Sequence, residues 1–516
     1  ASNILPGLPN FGIAQGSVFV VYGAAMGPST IVVAPTLPLQ TSLGSTSIQV
    51  TVGGTTVNAP MLYTLKSQLA GVLPSNTPVG TGTLTVTYNG ASGSTPITVV
   101  KSNFGISTVN QSGTGPGVVT FADYSLVTGT KSAKPGDTLI IWGTGLGPIN
   151  GNDAAVPAGG DLGTPITVYI GGAAANVTYR GRSGEPGLDQ INVVVPPGLS
   201  GCYISVVVQT GNTVSNTTTT AISPNGGTCS DPNGLQLSTL QGPLNSKGTA
   251  SIGIIDVVQE SISFSIGTAA PPTTTTIGVG AAVFEKYTAL QLTSSGSPLS
   301  QASVGSCILS SFSQSLTNTS PPSTGPTVVA TGLDAGSAIV VNPPSGNPVN
   351  LTPTAAVGKG YYGGSISSLS SGAYEFSNGS GGADIGAFST TLTFPGALNW
   401  TNQTAVTSAA IDRTQPLNLT WTGGDPASSA FIEGYSVAVT ANTEVGAFFV
   451  CTGPISAGKF TVPPSVLLSL PASGNQLGTS LLLLGTTSNP QTFTAPGLDA
   501  GFVFATSLAG GSVAFK

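Results

Sequence analysis

The sequence predicts an all-β chain, several immunoglobulin-like β-sandwich domains in tandem, and three observations carry that prediction. The first is composition. Of 516 residues 72 are Gly and 39 are Pro, 6% are charged, and the polar complement is mostly Ser, Thr and Asn. Strong helix formers are therefore scarce on any surface, while a hydrophobic content of 39% suffices for packed cores and argues against disorder. The second is periodicity: short runs of β-branched residues alternate with period two between Gly, Pro and Asn turns, the spacing of a sandwich. The third is an internal repeat. GSVFVVYGAAMGP at 16–28 recurs as GDTLIIWGTGLGP at 136–148, IQVTVGG at 48–54 as ITVYIGG at 166–172, and LTVTY at 84–88 as ISVVV at 204–208. Three matches in one order mark a duplicated module of about 100–120 residues, an ordinary domain size.

Taken in order, the elements divide into a first sandwich over 1–100, a second over 101–230 that repeats it, a β-rich connecting domain over 231–302, and a C-terminal sandwich over 303–516. Residues 1–12 form an extended, proline-punctuated arm whose apolar side chains are Ile4, Leu5, Leu8 and Phe11. Such an arm, or an edge strand at 512–515, can pair with the open sheet edge of a neighbouring subunit. The repeated aromatic, Tyr22 or Trp142, lies within an apolar run and is expected as a core plug between sheets rather than as a ligand platform. Gly53-Gly54 and Gly171-Gly172 are hairpin signals. The glycines beside the repeated aromatics lack the following helix and the Lys of a phosphate loop.

Asp231-Pro232-Asn233-Gly234 reads as a joint, and apolar runs at 251–258 and 262–266 read as strands. Ser/Thr/Pro tracts at 271–276 and 317–327 read as linkers or long loops. From 328 onward β-type runs recur at 337–341, 374–376, 388–394, 417–421, 435–440 and 502–504.

The motifs also point to a relative. GIAQGSVFVVYGAAMGP, a strand ending in GG, KPGDTLIIWGTGLGP, and a close with VTYRG and INVVVPPG resemble the tandem domain common in secreted proteins of Acidobacteria, which is similar to a pair of immunoglobulin-like folds of the IPT/TIG type. The resemblance covers residues 1–225; it implies secretion and an immunoglobulin-like sandwich, and no reaction. GADIGAF at 382–388, with LNWTN, DRTQPLNLTWTGGDP and GKFTVPPSVLLSLP, resembles a segment of the same class of exported proteins and implies no function.

Composition excludes much chemistry. The chain has no His, which removes the Ser-His-Asp and Cys-His nucleophiles, His-ligated zinc and haem. A net charge of −6 supplies neither the basic stripe that binds nucleic acid nor a polybasic cluster for anionic lipid, and no apolar run approaches the ~18 residues of a spanning helix, so no nucleic acid and no membrane insertion are expected. The opening Ala1-Ser2-Asn3 lacks an initiator Met and a leader, as expected of a mature secreted chain.

Cys202, Cys229, Cys307 and Cys451 form an even set that allows three disulfide connectivities. Cys202 opens a strand-like run and Cys229 lies just past its domain's end, so a bridge there would staple a C-terminal tail and leave Cys307 to Cys451. Four free thiols are the alternative, and the spacings are too wide for a thiolate metal site.

Among the acidic residues, Glu433 with Glu444 and Asp384 with Asp412 are the pairs a carboxylate hydrolase would need, whereas acids beside Gly and Pro, such as Asp425, are commonly turn formers. Asn150, Asn152 and Asp153 offer calcium-type oxygens but a single carboxylate. Arg180, Arg182, Glu185 and Asp189 concentrate charge, which marks either an interface or anion contact or, the expected reading, a salt-bridge cluster in an exposed loop.

The sequence thus assigns no catalytic, cofactor or metal residue. A surface of Ser, Thr, Gly and Asn with few charges packs against its own copies without desolvating ions, and the expectation is a secreted structural protein, the repeating subunit of an extracellular filament, pilus or surface coat whose partners are copies of itself. The alternative is a cell-surface adhesin or carbohydrate-binding module with glycans as partners, in which Trp400, Trp421 or Tyr361-Tyr362 would stack on sugar rings. Against that, Trp421 is in phase with Leu417 and Leu419 and reads as core.

Overall fold

The computed structural model describes residues 8, 11–231, 237–264, 273–292, 302–315, 330–354, 357–366, 369–440, 443–474 and 479–516. The chain is all-β, with 53% of residues in strands and 5% in helix. It divides into two compact units, one of residues 1–128, 133–199 and 205–220, the other of 129–132, 200–204 and 221–516.

The first unit holds two immunoglobulin-like sandwiches. In the first, one sheet runs in the order Ile13–Ala14, Ala91–Val100, Gly80–Tyr88, Thr46–Val52, Ser42–Leu43, and the other in the order Val18–Tyr22, Gln68–Val72, Met61–Thr64, Val32–Val33. Alternation places Ile48, Val50 and Val52 on the inner face, where they meet Phe19, Leu69, Leu84 and Val99. Each such side chain contributes about 1.5–3 kcal/mol by leaving water. The sharp reversals use glycine as expected: Gly53 and Gly54 have φ of 56° and 82° and close the hairpin in which Val52 pairs with Thr55. Gly171 and Gly172 do the same between Ile170 and Ala173.

The second sandwich repeats this construction. Thr138–Thr144 pairs with Asp189–Val194, which pairs with Ala173–Arg182, as Val18–Tyr22 pairs with Gln68–Val72 and that strand with Met61–Thr64. Even the bulge is repeated, between Met61 and Tyr63 in one copy and between Val177 and Tyr179 in the other.

The two sandwiches are joined by a buried ion pair. Arg182 and Asp189, expected in an exposed loop, have side chains 1% and 0% exposed and bond to each other through Nη1 and Oδ1. The bulged strand ends at Arg182 and its partner begins at Asp189, so the hairpin between them carries both charges inward. Arg182 Nη2 donates to Gly147 O at 2.7 Å in its own sandwich and to Gly16 O at 2.9 Å in the first. Asp189 Oδ2 accepts from the N–H groups of Gly145 and Leu146 at 2.7 and 2.8 Å. Burial pushes the Asp189 carboxyl up, and the guanidinium and the two amides oppose it. Gly16, at φ 70°, is held to glycine twice over, because a Cβ there would also run into the guanidinium. Beside this pair, Asp153 accepts from Ser75 N and Oγ at 2.6 and 2.8 Å, and Leu39, Val72 and Ala154 form a small apolar seam.

The second unit is built on one long sheet together with a three-stranded one, and beside two large cores it holds a smaller cluster of Leu240, Ile252, Tyr287 and Phe502. Its opening strand, Thr249–Phe264, is continuous where two runs were expected, and it pairs in parallel with the C-terminal Ala500–Gly511 from Ile252↔Ala500 to Ser263↔Gly511. It also pairs antiparallel with Thr273–Thr288, so Thr273 to Thr276, read from sequence as linker, are strand; four consecutive β-branched Thr on an exposed ribbon are good strand formers. Residues 231–302 therefore contribute strands to the same sheet as the C-terminal residues rather than a separate connecting domain. The tract 317–327 lies outside the described residues.

One core gathers Ile255, Phe284, Tyr362, Tyr374, Phe376, Phe388 and Val503; the other gathers Leu309, Trp400, Trp421, Ile432, Phe449, Leu484 and Phe515. Two disulfides close this unit, Cys202–Cys229 and Cys307–Cys451. The second joins residues directly opposite in register between Cys307–Ser315 and Thr443–Pro454.

Two predictions follow from these buried charges. Arg182→Met should lower unfolding free energy by about 3–5 kcal/mol because Asp189 is left buried without its partner, and adding Asp189→Leu should restore most of the loss; chemical denaturation of both variants checks this. On the long sheet, Asp256 carries a buried Oδ1 with no hydrogen bond, and burial pushes its carboxyl from 3.8 to about 7. Because the folded value is raised, the native state holds a proton that the unfolded state has released, so stability is fullest below pH 3.8 and declines as pH rises through about 7. Asp256→Asn should flatten that decline, with melting temperature measured against pH as the readout.

Candidate functional site

Each strand exposes one face of side chains outside the core, and the second sandwich concentrates polar aromatics there. In Thr138–Thr144, Leu139 and Ile141 point inward and are fully buried, which leaves Thr138, Ile140 and Trp142 on the outer face. Trp142 is half-buried and outward, a correction to its reading as a core plug. The run Leu139-Ile140-Ile141-Trp142 hides the alternation, because Ile140 is apolar and buried on the outer side as well. Tyr22 is likewise corrected: it stands 54% exposed at the end of Val18–Tyr22, with Phe19 and Val21 as the inward pair.

Around Trp142 the strands supply a fixed set of neighbours. Thr120 Oγ1 accepts from the indole Nε1 at 2.9 Å, which holds the ring's orientation. Gln190 stands directly opposite Trp142, and its Nε2 donates to Asn192 Oδ1 at 3.2 Å. That bond leaves Gln190 Oε1 and Asn192 Nδ2 without an intramolecular partner among the described residues. Tyr179, opposite Asn192 after the bulge, donates from Oη to Arg182 O at 3.1 Å.

The last member is Tyr124, in the turn that follows Val119–Phe121. Its ring lies 6.0 Å from that of Trp142 at 44°. Its backbone has φ 63°, in the left-handed region, and its side chain is 67% exposed. Asp123 and the Tyr124 N–H to Phe121 O bond at 3.0 Å build the turn. A bulky residue in the left-handed region costs about 1–2 kcal/mol where Gly or Asn would serve, and exposure returns little of that by burial. Folding alone does not select Tyr here; its ring beside Trp142 is what the turn delivers.

The arrangement is two adjacent aromatic rings, edged by a free amide oxygen, a free amide nitrogen and hydroxyls, on a row of outer-face residues without charge. C–H faces stack on such rings and hydroxyls bond to such amides.

The residues singled out from sequence fall elsewhere. Trp400, Trp421 and Tyr362 are core, and Trp421 Nε1 donates to Ile455 O at 3.0 Å, so these three offer no face to a sugar; Tyr361 is half-buried. Glu444 stands opposite Val439, six residues along the strand from Glu433, which separates the two carboxylates by roughly 20 Å, beyond hydrolase reach. Asp384 is taken by Asp334 N and Lys359, Asp412 by Thr414 and Asp425 by Ala427, all at loops. In the calcium-like loop Asn152 Oδ1 accepts from Ala154 N and Asp153 is occupied by Ser75. No group of three or more Cys, Asp and Glu among the described residues is placed to hold a metal.

Of the arm, Ile4 and Leu5 lie outside the described residues, Leu8 is buried and Phe11 half-buried, with Phe11 N bonded to Leu8 O. The C-terminal edge strand expected at 512–515 is also committed to its own unit: Val513 and Phe515 are core, and Phe515 bridges Ile411 and Ser473. An apolar end whose side chains fill a cavity of its own sheet has no edge to donate. No helix of the described residues is long and apolar enough to cross a membrane.

No protein-family model and no curated protein matches the chain. Among solved structures, a surface glycan-binding protein of Bacteroides ovatus, in complex with a mixed-linkage heptasaccharide, shares 13% identity over 53% of this chain and 67% of its own, with a TM-score of 0.20. One of Bacteroides uniformis, from a xyloglucan utilization locus, shares 11% over 86% and 97% with a TM-score of 0.17. The I9–I11 tandem of titin shares 8% over 74% and 93% with a TM-score of 0.13. Likenesses at these TM-scores carry no site or ligand across to this chain.

Removing the Tyr124 side chain separates structure from site. Tyr124→Gly should leave unfolding free energy unchanged or raise it by about 1 kcal/mol, since glycine relieves the left-handed backbone, and thermal denaturation read beside the Trp142 fluorescence spectrum checks it.

Proposed function

We propose that this is an extracellular or cell-surface binding protein that holds neutral glycan chains on the outer face of its second sandwich. The carrying observation is the Tyr124–Trp142 pair, in which a left-handed, exposed tyrosine is set against a tryptophan whose ring is pinned by Thr120. Trp142 and Tyr124 supply stacking, and Gln190 and Asn192 supply an acceptor and a donor for sugar hydroxyls. A row of outer-face residues without ions favours an uncharged ligand, because a charged one would lose its hydration without a counter-charge.

Two disulfides support an oxidising compartment, and the likeness of residues 1–225 to the tandem domain of secreted acidobacterial proteins belongs to the same reading. Glycan binding replaces the filament-subunit expectation, whose joining segments are packed on their own unit or lie outside the described residues. The ligands of the two Bacteroides proteins are of the class proposed here, a coincidence of class and not a support for the site.

Affinity electrophoresis of the full chain through gels holding cellulose derivatives, xyloglucan, mannan or soluble chitin tests the reading. At least one polysaccharide should retard the wild type, and Trp142→Ala should weaken that retention roughly tenfold or more, the loss of one stacking contact, with an unchanged far-ultraviolet circular dichroism spectrum. Undiminished retention by Trp142→Ala would refute the assignment. Because no ion pair contributes, retention should also persist from low to high salt.

A further inference from the structure

The first sandwich carries part of this constellation, an aromatic, a glutamine and a tyrosine, on the equivalent three strands. Tyr22 stands opposite Gln68, as Trp142 stands opposite Gln190. Tyr63 follows the bulge and stands opposite Ala70, two residues beyond Gln68, as Tyr179 follows its bulge and stands opposite Asn192, two residues beyond Gln190. Gln68 Nε2 donates to Tyr63 Oη at 2.5 Å, which leaves Gln68 Oε1 without an intramolecular partner among the described residues. Burial raises the Tyr63 phenol above its usual value, the Gln68 hydrogen bond opposing it and Tyr22 adding to it.

Packing does not require this match. A duplicated module must keep its inward residues, and it does: Phe19 and Leu139, Val21 and Ile141 occupy equivalent core positions. Outward positions do differ between the copies, Val18, packed in the seam, becoming the exposed Thr138. Against that difference the outer aromatic, its glutamine and the tyrosine past the bulge are present in both copies, and Tyr22 is exposed. The first copy lacks the Asn192 amide, whose place Ala70 takes, and a strand beyond Val18–Tyr22 with its Thr120 and Tyr124 counterparts. Val18–Tyr22 is the edge of its sheet, whereas Thr138–Thr144 has Val119–Phe121 and the Tyr124 turn beside it.

Building on the glycan-binding reading of the second sandwich, we infer that Tyr22, Gln68 and Tyr63 form a second site for the same neutral glycan, weaker for want of a Tyr124 counterpart, so that the first unit engages one polysaccharide chain at two points. Stacking falls on Tyr22, and Gln68 Oε1 accepts a sugar hydroxyl. The Arg182–Asp189 clamp holds both sites on one compact unit, so the second contact forms at high effective concentration and the gain appears with polymer and not with short oligosaccharide.

Isothermal titration of the full chain with a short oligosaccharide of the polysaccharide that best retards it, repeated with the polymer, tests this. The wild type should show two sites differing roughly tenfold in affinity. Tyr22→Ala should abolish the weaker site and leave the stronger; Trp142→Ala should do the reverse; either should weaken polymer binding more than oligosaccharide binding. Tyr22→Trp should tighten the weaker site, a rescue that a misfolded variant cannot produce. One site in the wild type, unchanged by Tyr22→Ala, overturns the inference and leaves the proposed function standing. No heat with any oligosaccharide overturns the proposed function itself. A change in sedimentation on Tyr22→Ala without a change in binding also overturns the inference, by assigning the face to contacts between copies.

Discussion

The first unit depends on one buried ion pair. Taking a guanidinium and a carboxylate out of water is expensive, and mutual attraction alone seldom recovers the cost. Here most of the remaining hydrogen-bonding capacity is used: Asp189 accepts two backbone N–H groups from Gly145 and Leu146, and Arg182 donates to the carbonyls of Gly147 and Gly16, while its buried Nε has no partner among the described residues. Because those carbonyls belong to different sandwiches, the pair specifies a relative orientation that apolar residues of the same volume would leave free to slide. The small seam of Leu39, Val72 and Ala154 is too limited to set that orientation by itself. A fixed orientation matters only if something is displayed on it, and both outer aromatic faces are.

The second unit achieves its unity differently. Its first long strand pairs in parallel with its last, so the sheet cannot form until the chain between them has been gathered in. The two cores on either part of that sheet are then inseparable, since Ile255 and Val503 fill one while Leu484, two strands from Ile255 in the same sheet, fills the other. Cys307–Cys451 ties neighbouring strands across a sequence separation of 144, a closure whose entropy the unfolded chain would otherwise keep.

What the sequence made legible were features set by neighbours in sequence. Glycine pairs marked hairpins because a two-residue turn needs positive φ; the repeat was visible because one module was copied whole; and the even cysteine set left few pairings. What it concealed were features set by distant partners or by the face a strand turns to the core. Arg182 and Asp189 look like any exposed cluster until the bulge after Val177 and a hairpin turn carry them to the joint. Residues 231–302 look like a connector because nothing local announces that Ile252 will meet Ala500. Trp142 looked like core because Leu139, Ile140 and Ile141 are all apolar, so the period-two signal that would assign its face is absent. The one clue was positional, since Tyr22 and Trp142 each end their apolar run immediately before a glycine.

Charge scarcity, which first suggested self-packing, bears equally on ligand recognition. A chain with 6% charged residues has few ion pairs to offer a partner. It can offer shape, stacking and neutral hydrogen bonds, and of these only stacking is strong enough at an exposed site to survive competition with water. Aromatic rings are the residues that supply it, and they too are scarce at 6%. In such a chain most large rings are needed for cores, as Trp400, Trp421, Tyr374 and Phe449 are. An exposed Tyr124 held in an unfavourable backbone conformation against Trp142, and an exposed Tyr22 at the equivalent strand end, forgo burial worth more than their turns or edges return. That sacrifice is intelligible when the missing burial is supplied by something that is not part of the chain, as the proposed neutral sugar face would supply it.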